Sequence, residues 1–239
     1  MSTTAFPTSP VAPLVSCPPP DPAPPTAYPM EWTLADLQER LGGIPLERIH
    51  LYPWPGLATE KDVLEVHART GRLCELVDGI LVEKPMGFYE SVLAMAIGRF
   101  IGNYLESHNL GIVAGEAGML RILGRQIRIP DVSFICWERL PQGREPVPAV
   151  SPDLAVEVLS ESNTEREIQD KLGEYFAGGT RLAWIIDPRT RTARIYHSPD
   201  QWTLVDEAGS LAGGDVLPDF ELKLDMLFAE LDRPGQPTS

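Results

Sequence analysis

Two acidic residues stand where acids are costly: Asp131 in IRIPDVSFICW and Glu157 in PDLAVEVLSESN. Each lies in an apolar, β-branched run that predicts a buried strand, and an ionised carboxylate there needs a cation or several hydrogen-bond donors. Carboxylates at the ends of adjacent strands supply the few hard oxygen ligands that Mg²⁺ takes, leaving positions for water and a substrate phosphate. Taken singly, either acid would equally serve as the partner of a structural arginine. Lys171 sits on a predicted helix three residues after Ile168 and four before Tyr175. That places it at the edge of an apolar stripe facing the sheet that carries the acids. It is either a structural counter-ion or a cation that orients an attacking water and stabilises developing phosphoryl charge. Glu90 shares a helical face with Leu93, Ala94, Ile97 and Ile101; it either extends the metal site or supplies favourable charge at a helix N-terminus.

The elements that must position these residues are legible in order. CELVDGILVEKP holds two short apolar runs around Asp78-Gly79, a strong hairpin signal. A long helix is expected over 88–108, then strands over 112–137 interrupted by Gly115, Gly118 and Gly124, and a strand over 154–159. Thr164 and Glu167 have capping-box spacing; the helix they open carries Ile168, Leu172, Tyr175 and Phe176 and stops at Gly178-Gly179. LAWIID and ARIYHS form a hairpin about a turn at 189–191, followed by QWTLV and a final helix over 222–231. This order implies a mixed α/β sandwich, and no GxGxxG or GxxxxGK[ST] follows any strand to suggest a nucleotide-binding fold. Upstream, helices over 33–41 and 59–68, the second opened by Thr59 and Asp62, predict a peripheral helical cap over 31–70. The proline-rich residues 1–30 are expected to be a disordered tail, 71–232 the catalytic domain and 233–239 a C-terminal tail.

Composition limits what the site could serve. The chain has 239 residues and a formal net charge of -14, so nucleic acid would have to meet a local basic patch. Arg121, Arg125 and Arg128 could form one, with a solvated strand edge as the default reading. Cys17, Cys74 and Cys136 have no CxxC or metal-ligand spacing and suggest reduced thiols in a cytoplasm. No apolar run approaches the roughly 20 residues of a membrane span. The four histidines show no HExxH, and Ser160 and Ser162 no GxSxG elbow.

The succession ELVDGILVEKP, helix, RIPDVSFI, PDLAVEVLSESN and DKLGEYFAGGTRLAWIIDP resembles the Uma-two family of restriction-endonuclease-like proteins, within the PD-(D/E)XK nuclease superfamily. The resemblance covers roughly 73–198. It implies an α/β (α+β) fold with a central mixed sheet flanked by helices, a Mg²⁺ site (Mn²⁺ as an alternative) and hydrolysis of DNA phosphodiester bonds. Asp131 then matches the motif aspartate and Glu157 the second acid, with the Val158 carbonyl as a further metal ligand and Glu90 as the family's helix glutamate. Two positions depart from the pattern: Leu159 stands where the superfamily has lysine, so Lys171 must supply that cation, and Ser91 stands where relatives often have histidine. A catalytically silent nuclease-fold module that binds protein or nucleic acid is the alternative. By analogy alone, a homodimer would suit cleavage of two strands.

Overall fold

The structure, a computed structural model, describes Tyr28, residues 31–85 and residues 87–232. Apart from Tyr28, which packs on Trp32 with ring centroids 4.5 Å apart, the expected tails lie outside the described residues. Among the described residues, the strands β1 (Ile49–His50), β2 (Cys74–Val77), β3 (Ile80–Glu83), β4 (Gly111–Gly115), β5 (Leu120–Leu123), β6 (Gln126–Arg128), β7 (Val132–Cys136), β8 (Leu154–Val158), β9 (Leu182–Asp187), β10 (Thr192–Ser198), β11 (Gln201–Val205), β12 (Ser210–Ala212) and β13 (Glu221–Lys223) are interspersed with the α-helices α1 (Leu34–Arg40), α2 (Glu60–Thr70), α3 (Phe88–Leu105), α4 (Glu165–Ala177) and α5 (Leu224–Phe228).

The central layer is a six-stranded mixed sheet in the order β11-β10-β9-β8-β7-β4. Its one parallel pair, β8 with β9, is joined through α4, because parallel neighbours need a crossover rather than a tight turn. Side chains alternate across it. Val132, Phe134, Leu154, Val156, Leu182 and Trp184 pack toward α3 and α5; Ile135, Ala155, Leu159, Ala183, Ile185 and Tyr196 pack toward α4. A second, antiparallel sheet in the order β1-β3-β2-β6-β5 adds a layer that the expectation of one central sheet did not contain. Its hairpin turns at Asp78 and Gly79, both at positive φ. Gly79 is required there twice over, since a Cβ would lie 2.3 Å from the Gly56 carbonyl oxygen.

The two upstream helices form as expected and both carry threonine capping boxes. They do not make a separate cap, because β1 pairs with β3 and Leu37, Leu41, Ile44 and Ile49 share a core with Ile80 and Val82. Two other expectations change. Thr164 accepts from the Glu167 amide at 3.1 Å, but the Glu167 side chain turns away from the cap to chelate Arg48 at 2.6 and 3.1 Å. The final helix shrinks to α5, since Glu221–Lys223 pairs with Ser210–Ala212 instead of coiling.

Arg48 also donates to the carbonyls of Glu83 and Ser162, at 2.9 and 3.3 Å, so one buried guanidinium ties the upstream segment, β3 and the start of α4 together. Burial would push the Glu167 carboxyl up, but the Arg48 hydrogen bonds and the charges of Lys171 and Arg48 hold it below the usual range. Arg48→Met is therefore expected to cost about 3–5 kcal/mol in urea-induced unfolding, because it strands a buried carboxylate. Arg48→Met combined with Glu167→Leu should recover part of that loss.

A buried carboxylate and lysine cluster as candidate active site

Strand alternation decides which way Glu157 points. With Val156 and Val158 toward α3 and Ala155 and Leu159 toward α4, Glu157 must enter the α4 layer. Residues four apart on a helix share a face, and Lys171 and Tyr175 both reach it. The Tyr175 hydroxyl donates to Glu157 Oε1 at 2.6 Å, and Lys171 Nζ stands 3.4 Å from Oε2. Lys171 Nζ is also 3.1 Å from Oε1 of Glu75, on β2 of the second sheet. Glu75 further accepts from the Ile129 amide at 3.1 Å and from Arg128 at 2.9 Å. The same guanidinium chelates Glu174 of α4 at 2.6 and 2.8 Å.

Asp131 is set by sheet register. Val132 pairs with Val156, the Asp131 amide donates to the Val156 carbonyl at 2.9 Å, and the Val158 amide donates to Asp131 Oδ2 at 2.6 Å. Lys84, just beyond β3, places Nζ 2.8 Å from Asp131 Oδ1 and 3.3 Å from the Glu116 carbonyl oxygen. Asp131 and Glu116 both line a cavity of about 480 Å³ between α3 and β4, with Ser91, Met95 and Val113 among its other walls.

The charges in this cluster do not balance. Glu75, Asp131, Glu157 and Glu174 face Lys84, Lys171 and Arg128, which leaves one negative charge uncompensated. Glu157 bears it. Burial raises its pKa to about 6; Lys171 opposes the rise, while the charges of Asp131 and Glu75 add to it. Glu75 goes the other way: burial would raise it, but Lys171 and Arg128 outweigh burial and hold it at about 2. Burial would lower Lys171, yet Glu157 and Glu75 keep it firmly protonated. Burial and the Glu157 charge push Tyr175 well above the usual phenol range, so it remains a donor.

Lys171 is in contact with Glu157, while Asp131 has Lys84 and the Val158 amide as partners and reaches Glu157 through its charge alone. Val158 donates its amide to Asp131 Oδ2. Glu90 stays apart from the cluster. Its carboxylate lies against Gly87, where a Cβ would come within 1.9 Å of Oε2, so it occupies the N-terminal end of α3. Its neighbour Ser91 donates to the Glu116 carboxylate at 3.2 Å in the cavity wall. The arginines form no phosphate-facing patch: Arg128 is buried between Glu75 and Glu174, Arg125 donates to the Ala58 carbonyl, and Arg121 faces Glu60 at 3.8 Å. Sequence reasoning missed Glu75, although an acid inside CELV carries the signal that singled out Glu157. It also missed Lys84, Arg128, Tyr175 and Glu174 as members of the cluster.

Among the described residues, no group of three or more His, Cys, Asp or Glu side chains is arranged to hold a metal. Mg²⁺ commonly takes one or two carboxylates and fills its remaining positions with water, so Asp131 and Glu157 are the donors that would be open to it once their present partners gave way. Asp131 and Glu157 are hard oxygen donors, Asp131 opens to the cavity, and the unbalanced negative charge is what a cation would neutralise.

Comparison with known proteins supplies a family. Residues 61–226 match the family Uma2, described as "Putative restriction endonuclease". The fold is similar to that of a protein solved as a putative nuclease belonging to DUF820 from Anabaena variabilis ATCC 29413, with a TM-score of 0.62 and 20% identity over 68% of this chain and 93% of that one. No curated protein matches the chain.

The opposed shifts of Glu75 and Glu157 give a pH signature. A carboxyl raised to about 6 binds its proton more tightly when folded, so its contribution to stability grows as pH falls from above 6 to its unfolded value near 4.5. A carboxyl held at about 2 contributes above 4.5 and loses that contribution as pH falls toward 2. In the metal-free protein, wild type should gain on the order of 2 kcal/mol relative to Glu157→Gln between pH 7.5 and 4.5. Thermal unfolding of both proteins across that range is the measurement, and parallel curves would refute the assignment.

Proposed function

This chain belongs to the Uma2 family, whose description is "Putative restriction endonuclease", and we propose that it is a metal-dependent nuclease acting on DNA through the cluster around Asp131 and Glu157. The observation that carries this reading is a buried Glu157 in contact with Lys171 and subject to the charge of Asp131, whose own carboxylate lines a cavity. Asp131 and Glu157 would hold Mg²⁺, with Mn²⁺ as a substitute, and such an ion when bound polarises a phosphodiester and acidifies a water. The chain's own contribution is preorganisation. The Val158 amide fixes one oxygen of Asp131 and Tyr175 one oxygen of Glu157, so neither carboxylate must reorient at the moment of reaction. Lys171 and Arg128 hold Glu75 ionised behind Glu157, and that fixed negative charge favours binding of a cation in front. The reduced state of Cys74 and Cys136 suits a cytoplasmic enzyme, and a homodimer would place two such sites on the two strands of a duplex.

One observation favours the second reading, a silent binding module. Both carboxylates already have protein cations, Lys84 on Asp131 and Lys171 on Glu157.

Incubation with supercoiled plasmid separates the two. With Mg²⁺ the protein should nick or linearise DNA, and a chelator should stop it. Asp131→Asn and Glu157→Gln should each lower the rate about 100-fold or more while circular dichroism reports a native fold. Metal-dependent cleavage that is undiminished in either variant would remove that residue from the site. The absence of cleavage and of divalent-ion binding by wild type would leave the silent module.

A further inference from the structure

Two lysines touch the acids of the cluster, and they are placed differently. Lys171 lies between Glu75 and Glu157, 1% exposed, and does not line the cavity. Its ammonium neutralises two buried carboxylates from opposite sheets, a role that needs no access to substrate. Lys84 is buried too and is not itself part of the cavity wall, but it is held between Asp131 Oδ1 and the Glu116 carbonyl oxygen, and the residues that supply both of these contacts line the cavity. An ammonium has three donors. Two are spent on these contacts, and among the described residues no protein acceptor takes the third. The backbone there is fixed, since the Lys84 amide donates to the Leu73 carbonyl at 2.9 Å as the hairpin ends.

We propose that Lys84, rather than Lys171, is the lysine that serves the cavity, and that its ammonium occupies the cation position on Asp131 until a divalent ion displaces it toward the substrate phosphate. This assignment rests on the nuclease reading and gives it the working lysine that Leu159 does not provide. Two cations cannot share one carboxylate oxygen at contact distance without strong repulsion. Lys84 is thus both a competitor for the metal and, once displaced, a donor next to the cavity.

Such a double role has a signature that a structural ion pair lacks, because metal affinity and turnover move in opposite directions. Removing the competitor should tighten Mn²⁺ binding to Lys84→Met about tenfold in calorimetric titration, while its kcat for plasmid cleavage falls about 100-fold. Lys84→Arg keeps the charge and should return metal affinity to the wild-type value and recover part of kcat. Thermal unfolding of Lys84→Met and Lys84→Arg checks that both are folded. Weaker or unchanged metal binding by Lys84→Met, or wild-type cleavage by it, overturns the proposal. If wild type and every variant leave nucleic acid intact, the nuclease reading falls, and with it the substrate role of Lys84. Tighter metal binding by Lys84→Met would then still establish Lys84 as the cation that competes at Asp131.

Discussion

The contact on which the rest of the structure depends is the bridge from Lys171 to Glu75 and Glu157. These carboxylates come from different sheets and are both buried. Without a cation between them, two like charges would be held in a medium that screens them poorly, at a cost of several kcal/mol for each ion. With Lys171 in place, α4 becomes the joint of the molecule. Its apolar residues Ile168, Leu172 and Tyr175 pack on the central sheet together with Leu120 and Ile122 of β5, and its charged residues Glu167, Lys171 and Glu174 engage Arg48, Glu75 and Arg128. A helix between two sheets needs both kinds of face, and α4 has them.

That joint has a chemical consequence. The cations that satisfy Glu75 are partly withdrawn from Glu157, which is why the two carboxyls, linked through one ammonium, shift in opposite directions. Glu75 becomes a permanent anion and Glu157 an incompletely compensated one. Asp131 completes the arrangement from the neighbouring strand, held by the Val158 amide and opened to the cavity between α3 and β4. A stable structural core of charge therefore lies behind an unbalanced, more accessible one, a division expected where a scaffold must stay rigid while a site accepts a cation.

Much of this was readable along the chain because the relevant signals are local. The Asp78-Gly79 hairpin, the long helix, the strands around Asp131 and Glu157, and the threonine caps all follow from residues within one or two turns of each other. Where the reading failed, a long-range partner overrode a local preference. Glu167 had the spacing to close a capping box, but Arg48, 119 positions away, offered a full charge. Residues 222 and 223 had helical spacing, but β12 offered a ladder. Glu90 lies against Gly87 at the N-terminal end of α3, where its charge suits the helix.

The sequence by itself determined that Asp131 and Glu157 lie in buried strand segments and that Lys171 sits at the edge of a sheet-facing helical stripe, because period-two and period-3.6 alternation assign faces without reference to distant residues. Tertiary structure alone decided which charges pair. Glu75 carried the same signal as Glu157, and Lys84 was one charge at the end of a hairpin. Only the packing of the second sheet against α4 showed that Lys171 answers to Glu75 as well, and only the docking of the end of β3 beside the start of β7 brought Lys84 to Asp131. Alternation says which way a side chain points, whereas the partner of a charge is fixed by distances in space, and those arise when separate elements dock.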